Sequence, residues 1–89
     1  MVEKQLTVLT ALGLHARASA RLVSLALTFD STVELTRGNN TVDAKSMLGV
    51  MTLALTQHST LTVRANGQDE AEAIDRIEAL FAHRFGEDQ

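Results

Sequence analysis

Apolar residues in this chain change their spacing several times, and this change of period is the strongest constraint on its fold. Spacings of three and four residues, which place side chains on one face of a helix, occur in residues 18–29 and 73–81. Strict alternation, which is typical of a half-buried strand, occurs in residues 32–36 and 60–65. A chain of this length is expected to bury about 60–65% of its extended surface. We therefore expect residues 1–89 to form a single domain of helices packed on a sheet.

These segments predict an α+β fold with the element order β-α-β-β-α-β-α. The predicted architecture is a two-layer, open-faced β-sandwich, in which a four-stranded, mainly antiparallel sheet carries three helices on one side. The first strand is placed around residues 6–9, and the first helix is expected to begin at Ala16. Residues 38–40 (Gly-Asn-Asn) tolerate positive φ and favour a hairpin between the second and third strands.

Polar and glycine residues indicate where the other helices begin and end. Ser46 is expected to cap a short second helix, because a serine oxygen accepts hydrogen bonds from free backbone N–H groups. Asp69 and Glu72 have the spacing of a capping box at the start of the last helix. Arg84 is placed in the final turns of that helix, with Gly86 as its C-terminal cap.

The composition argues against several classes of function. Three Phe, without Trp or Tyr, give no platform on which nucleic-acid bases could stack, and a net charge of −3 does not suit a phosphate backbone. The chain has no Cys and no closely spaced His pair, so neither a metal nor another cofactor is predicted. Apolar runs are far shorter than the ~20 residues that cross a bilayer. The N-terminus lacks signal-peptide features, so we predict a cytoplasmic monomer without membrane insertion.

The residues best suited to chemistry lie in segment 13–17 (Gly-Leu-His-Ala-Arg), where a loop leads into a helix. His15 would lie beside free N–H groups that attract anions, and Arg17 and Arg21 on the same helix face could hold a phosphate. Neutral imidazole is a nucleophile near neutral pH, so His15 could accept a phosphoryl group. The chain lacks the nucleotide-binding loops of a kinase. It is therefore predicted to relay phosphate rather than act as a free-standing enzyme.

Each of these features also has a purely structural interpretation. A histidine at a helix start can serve as a cap or face solvent, and Arg17 and Arg21 could simply line a solvated face. Ser46 could act only as an N-cap, whereas a phosphate there would place negative charge at a helix N-terminus, which favours it. The apolar residues of segment 47–51 could form either core or an exposed docking patch.

Segments 13–17 and 45–51 (Lys-Ser-Met-Leu-Gly-Val-Met) together resemble the two motifs of the HPr family, the histidine-containing phosphocarriers of the bacterial phosphoenolpyruvate-dependent phosphotransferase system. The resemblance spans nearly the whole chain and includes the order of elements. It implies that His15 accepts a phosphoryl group on Nδ1 from enzyme I and passes it to EIIA-type proteins. It also implies that Arg17 neutralises the phosphoryl oxygens and that the backbone amides of Ala16 and Arg17 complete a cradle.

The resemblance further implies a docking surface and a regulatory site. The docking residues would lie on the first two helices and comprise Ala20, Arg21, Ser24, Met47, Leu48 and Met51. Ser46 matches the serine that an HPr kinase/phosphorylase modifies in many bacteria. A phosphate on Ser46 would add negative charge beside the docking surface and oppose enzyme I.

One position departs from the pattern of the sugar-transporting members. Those members typically carry Pro after the active-site arginine, whereas this chain has Ala18, which lacks the fixed φ of proline and supplies one more amide. The run around His15 and the closing residues 84–87 (Arg-Phe-Gly-Glu) resemble the nitrogen-branch paralogue NPr. Ala18 thus favours a regulatory relay, and both the sugar and the nitrogen branch stay open.

Two alternative functions come from other classes. The chain could be a regulatory interaction module that acts through the Ser46 surface without histidine phosphotransfer. It could also be a domain that senses an anionic metabolite at the N-terminus of the first helix. The intact His15-Ala16-Arg17 run favours the phosphoryl carrier over both.

Overall fold

A computed structural model describes residues 1–87, and its elements follow the predicted order. The strands are β1 (Val2–Thr7), β2 (Thr32–Arg37), β3 (Asn40–Asp43) and β4 (Thr60–Asn66), and the helices are α1 (Ala16–Ala26), α2 (Met47–Thr52) and α3 (Glu70–Ala82). A short 3₁₀ turn, Arg84–Gly86, follows α3 and was not predicted. Among residues 1–87, none of the helices combines the length and the apolar composition that a membrane span requires.

The four strands form one antiparallel sheet in the order β1-β4-β2-β3, which confirms the predicted α+β fold. β1 begins at Val2, four residues before the predicted start. The prediction missed this part of the strand because residues 3–5 are polar and show no apolar alternation. Their pairing with residues 62–64 of β4 rests on the backbone ladder, which sequence patterning does not reveal. The β2–β3 hairpin turns at Gly38, whose φ of +59° is easily reached by glycine.

The core lies between the sheet and the helices. Alternate residues of β2 and β4 point into it, and they pack against the apolar stripes of α1 and α3. Its most buried members include Leu22, Val33, Leu35, Val63 and Ile77. Burying a side chain of this size contributes about 1.5–3 kcal/mol, so this layer fixes the position of α1, at whose N-terminus His15 lies.

The capping box predicted at the start of α3 is wrong. Asp69 is the N-cap residue, but its side chain makes no capping hydrogen bond. Its carboxylate instead accepts the backbone N–H groups of Asp30 and Ser31, each at 2.9 Å. These two donors lie just before β2 and have no strand partner of their own, so a tertiary contact replaces the local one.

The predicted end of α3 also needs correction. The helix ends at Ala82, so Arg84 lies outside it and Gly86 does not cap it. Arg84, Phe85 and Gly86 all have positive φ values, of 54°, 56° and 79°. This turn brings the ring of Phe85 back to the core, where it packs edge-to-face on Phe81 with the ring centroids 4.8 Å apart.

Candidate functional site

The loop before α1 is fixed by a close approach to the chain segment that follows α2. Gly13 has a φ of +67°, and a β-carbon at this position would lie 2.6 Å from the carbonyl oxygen of Leu55. The N–H of Leu14 donates to that same oxygen at 2.8 Å, and the Thr10 hydroxyl donates to the Gly13 carbonyl at 2.7 Å. Only glycine fits this position, and the loop delivers His15 to the start of the helix in one orientation.

His15 is the N-cap residue of α1, and its ring has a defined hydrogen-bonding partner on each nitrogen. The backbone N–H of Arg17 faces Nδ1 at 3.3 Å. Nε2 lies 2.8 and 2.9 Å from the two carboxylate oxygens of Glu87. A backbone N–H can only donate and a carboxylate can only accept, so this network assigns the proton to Nε2 and leaves a lone pair on Nδ1.

The contact between His15 and Glu87 is partly sheltered from water. The side chain of His15 is 27% exposed and that of Glu87 is 16% exposed. Glu87 is carried to the ring by the turn after α3, where Phe85 is buried with 1% exposure. The guanidinium of Arg21 donates to the carbonyl oxygen of Phe85 and ties the same turn to α1.

Sequence analysis missed Glu87, because no local motif links an acidic residue near the C-terminus to His15. The two residues are 72 positions apart and meet only through the tertiary fold. A usable signal was present in Phe85, which lies four residues after Phe81 and continues the apolar stripe of α3 beyond its end. That pattern predicts a terminal segment anchored to the core.

The two arginines of α1 have different environments. Arg17 is exposed in the first turn, and its backbone N–H points to the ring of His15. Arg21 was predicted to flank the imidazole as a second guanidinium, and its guanidinium donates to the carbonyl oxygen of Phe85 in the turn after α3. The ring of His15 therefore faces the backbone N–H of Arg17 at the exposed end of α1, while Arg21 contacts the turn that carries Glu87.

Ser46 forms the predicted N-cap of α2. Its hydroxyl oxygen accepts the N–H of Gly49 at 3.0 Å, and the N–H of Val50 donates to its carbonyl oxygen at 2.9 Å. The side chain is partly exposed. Ser46 is thus both a structural cap and accessible at the surface.

An apolar surface lies on α2 beside α1. Leu48 is 77% exposed and Met51 is 44% exposed, so this part of segment 47–51 is not core, whereas Met47 packs partly against the core. On α1, Ala20, Arg21 and Ser24 are also exposed. We call the six residues Ala20, Arg21, Ser24, Met47, Leu48 and Met51 the α1–α2 surface. Leu12, in the loop before His15, is a further exposed apolar residue that sequence analysis did not single out.

No group of three or more His, Asp or Glu side chains within residues 1–87 is placed to hold a metal ion. The polar groups that converge at the N-terminus of α1 are one imidazole, one carboxylate and backbone N–H donors. This set can present a nucleophilic nitrogen and hold an anion.

Comparisons with known proteins point to one family. A family model described as the PTS HPr component phosphorylation site matches residues 2–83. The phosphocarrier protein HPr of Cupriavidus necator is 51% identical, and the match covers 98% of both chains. The phosphocarrier protein NPr of Shewanella violacea is 38% identical over 97% of this chain and 94% of its own. The crystal structure of HPr-C-His from Thermoanaerobacter tengcongensis matches with a TM-score of 0.97 at 36% identity, covering all of both chains.

Proposed function

The chain belongs to the HPr family of phosphotransferase-system phosphocarriers, and we propose that His15 is the residue that carries the phosphoryl group. In this proposal the group arrives from a phosphohistidine of enzyme I and leaves to an EIIA-type protein. The observation that carries the proposal is the pair of contacts on the ring: the backbone N–H of Arg17 faces Nδ1 at the N-terminus of α1, and the carboxylate of Glu87 faces Nε2. We infer from these contacts that Nε2 keeps the proton and that Nδ1 has the free lone pair.

The transfer exchanges one phosphorus–nitrogen bond for another. The Nδ1 lone pair attacks the phosphorus as the bond to the donor nitrogen breaks, and that nitrogen recovers its electron pair. No proton has to leave Nδ1 first, because the proton is already on Nε2. The N–H of Arg17, which lies 3.3 Å from Nδ1 before transfer, then becomes available to a phosphoryl oxygen.

The surroundings of Nδ1 favour an incoming anion. The first N–H groups of α1 have no partners within the helix, and the helix dipole adds partial positive charge at this end. The backbone amides of Ala16 and Arg17 are proposed to hold the phosphoryl oxygens, and the guanidinium of Arg17 to neutralise them. Preorganised donors of this kind stabilise developing charge without reorganisation at the moment of transfer.

The α1–α2 surface is proposed as the docking site for both the donor and the acceptors. Its exposed apolar side chains, Leu48 and Met51, supply an area that a partner can bury, and methionine adapts to different shapes. A carrier must release each partner quickly, so we expect small interfaces with fast dissociation. Which acceptor is used, on the sugar or the nitrogen branch, is tested by offering both EIIA types to the phosphorylated chain.

Ser46 is proposed as a site of regulatory phosphorylation, with an HPr kinase/phosphorylase as the modifying partner. A phosphate on its oxygen would lie at the N-terminus of α2, where negative charge is favourable, so the helix is expected to persist. The charge would lie two residues from Leu48 and would repel an acidic partner surface. The expected effect is weaker docking without unfolding.

The competing proposal is a regulatory interaction module that acts through the Ser46 surface, next to Leu48, without carrying phosphate on histidine. It is supported by the capping role of His15 and by the exposure of Leu48, both of which exist without any phosphotransfer. Mass spectrometry after incubation with phosphoenolpyruvate, magnesium and the cognate enzyme I separates the two. The carrier gains one acid-labile phosphoryl group that His15→Ala lacks, whereas an interaction module binds partners and gains none.

A further inference from the structure

We propose that Glu87 is a positioning residue for phosphoryl transfer. Its carboxylate holds the proton of His15 on Nε2, keeps Nδ1 as the nucleophile, and stabilises the ring when Nδ1 carries phosphate. This inference rests on the proposed function of His15 and deepens it. It also gives the residues after α3, which lie beyond both motifs, a role in the chemistry.

The contact itself is specific in geometry. Both carboxylate oxygens of Glu87 lie within 2.9 Å of Nε2, so either can accept a hydrogen bond from its N–H. At 16% exposure the Glu87 side chain is largely removed from solvent, which strengthens a charge-assisted hydrogen bond. An exposed acidic side chain in a free terminus would not have this shelter.

The carboxylate is held in place by three contacts of the terminal turn, which we define as residues 84–87. Phe85 anchors the turn in the core beside Phe81. Arg21 donates to the carbonyl of Phe85 from α1, the helix that His15 caps. Gly86 lies against this guanidinium, since a β-carbon there would be 3.0 Å from Nη1, and its φ of +79° lets the chain turn toward His15. These contacts fix Glu87 relative to the ring.

The electron and proton balance explains what the carboxylate contributes. When Nδ1 bonds to phosphorus, both ring nitrogens are substituted, and the ring becomes positively charged if it keeps the Nε2 proton. Glu87 accepts the hydrogen bond from that N–H and stabilises this charge. In onward transfer the Nδ1–P bond breaks, the electron pair returns to Nδ1, and the ring leaves as neutral imidazole. The proton stays on Nε2 throughout.

The same arrangement therefore serves both directions of the relay. A positively charged ring is a better leaving group than a neutral one, because it does not become an anion when phosphorus departs. A neutral ring with its proton fixed on Nε2 is a ready acceptor, because Nδ1 is the only available nucleophile. Glu87 has a role comparable to that of the carboxylate that orients a histidine in a catalytic triad.

The proposal is tested first without phosphate, by ¹⁵N NMR of the His15 ring at a pH where the ring is neutral. We expect the wild-type ring to be mainly in the Nε2–H form. In Glu87→Gln, whose amide can donate as well as accept, we expect a substantial Nδ1–H population. The control is Glu34→Gln, a carboxylate that contacts Arg64 on the sheet face opposite the helices, and it should match wild type. An unchanged tautomer in Glu87→Gln overturns the proposal.

The second readout is single-turnover phosphorylation by phosphorylated enzyme I, followed by rapid quenching. We expect Glu87→Gln to be phosphorylated about tenfold more slowly than wild type. This factor is the low end of the effect expected when a charge-assisted hydrogen bond is lost. Glu87→Asp, which keeps the charge, should recover part of the rate, and Glu34→Gln should react at the wild-type rate. A wild-type rate in Glu87→Gln contradicts the role of Glu87. A wild-type chain that is never phosphorylated contradicts the proposed function instead, and the tautomer measurement tells the two failures apart.

Discussion

Asp69 accepts hydrogen bonds from both the backbone N–H and the hydroxyl of Ser31, which lies 38 residues earlier in the chain. This contact fastens the loop before β2 to the start of α3. The same loop also comes very close to the turn before α3 at Gly67, where a β-carbon would lie 2.6 Å from the Cα of Ser31. The carboxylate of Asp69 thus holds the loop before β2 against the start of α3.

The Asp69 contact predicts how stability depends on pH. The Ser31 hydroxyl, followed by the N–H of Asp30, lowers the pKa of Asp69 below its usual 3.8. A carboxylate with a depressed pKa in the folded state stabilises the fold above its unfolded pKa, and this stability is lost as pH falls through the folded value. We therefore expect the free energy of unfolding, measured in urea, to decrease as the pH falls below about 4.

Two variants isolate this contribution. Asp69→Asn should be less stable than wild type at pH 7 and should lose less further stability on acidification. Glu70→Gln tests a second carboxylate, whose pKa is lowered by the N-terminal amino group and by the N–H of Gly67. If Asp69→Asn loses as much stability on acidification as wild type, Asp69 is not the group that titrates.

The anchor of the terminal turn is expected to contribute to stability as well as to position Glu87. Phe85→Ala removes a buried ring, and such truncations cost about 3–5 kcal/mol in a closed core. We expect Phe85→Ala to lower the free energy of unfolding by about 3 kcal/mol, the low end of this range, because a terminal segment can detach from the core. Urea unfolding measures the loss, and Leu27→Ala, an exposed residue after α1, should change stability little. An unaltered unfolding free energy in Phe85→Ala would show that the turn does not belong to the folded core.

Ser46 allows the structural and regulatory roles of one residue to be separated. Ser46→Ala removes the oxygen that accepts the N–H of Gly49 and should cost about 1 kcal/mol. Ser46→Asp and Ser46→Asn both retain a capping oxygen, but only aspartate adds charge. In an NMR titration with enzyme I, we expect Ser46→Asp to bind more weakly than wild type and Ser46→Asn to bind with the wild-type affinity. Equal affinities for Asp and Asn would argue against regulation by charge at this position.

The exposure of Leu48 predicts an effect on binding without an effect on folding. Leu48→Ala should leave the unfolding free energy nearly unchanged, since the side chain is 77% exposed in the isolated chain. Its affinity for enzyme I should fall about tenfold, as for an apolar residue at the centre of an interface. Thr62→Ala, on the opposite face of the sheet, is the control for truncation. Full affinity in Leu48→Ala would place the docking site elsewhere.

Features that depend on local spacing could be predicted from the sequence. The start of α1 at Ala16, the turn at Gly38 and the cap at Ser46 follow from backbone and side-chain preferences within a few residues. The His15-Ala16-Arg17 run and the Ser46 segment carried the resemblance to the family, and the matches confirm that resemblance.

Features that depend on tertiary contact could not be predicted. Asp69 fits the local rule for a capping box, but its carboxylate accepts hydrogen bonds from the N–H groups of Asp30 and Ser31 instead of capping α3. The pairing of His15 with Glu87 needs the terminal turn to fold back across the core. The exposure of Leu48 was also undetermined, because a helix of six residues is too short for its apolar stripe to indicate which side is buried.

The most direct test of phosphoryl transfer at His15 is ³¹P NMR of the chain after incubation with phosphoenolpyruvate, magnesium and its cognate enzyme I. We predict one acid-labile resonance with the chemical shift of an Nδ1-phosphohistidine, present in wild type and absent in His15→Ala. No phosphohistidine resonance in wild type, with an enzyme I that phosphorylates a known HPr in a parallel sample, would contradict the account. So would a resonance that survives in His15→Ala, because the phosphoryl group would then be carried by another residue.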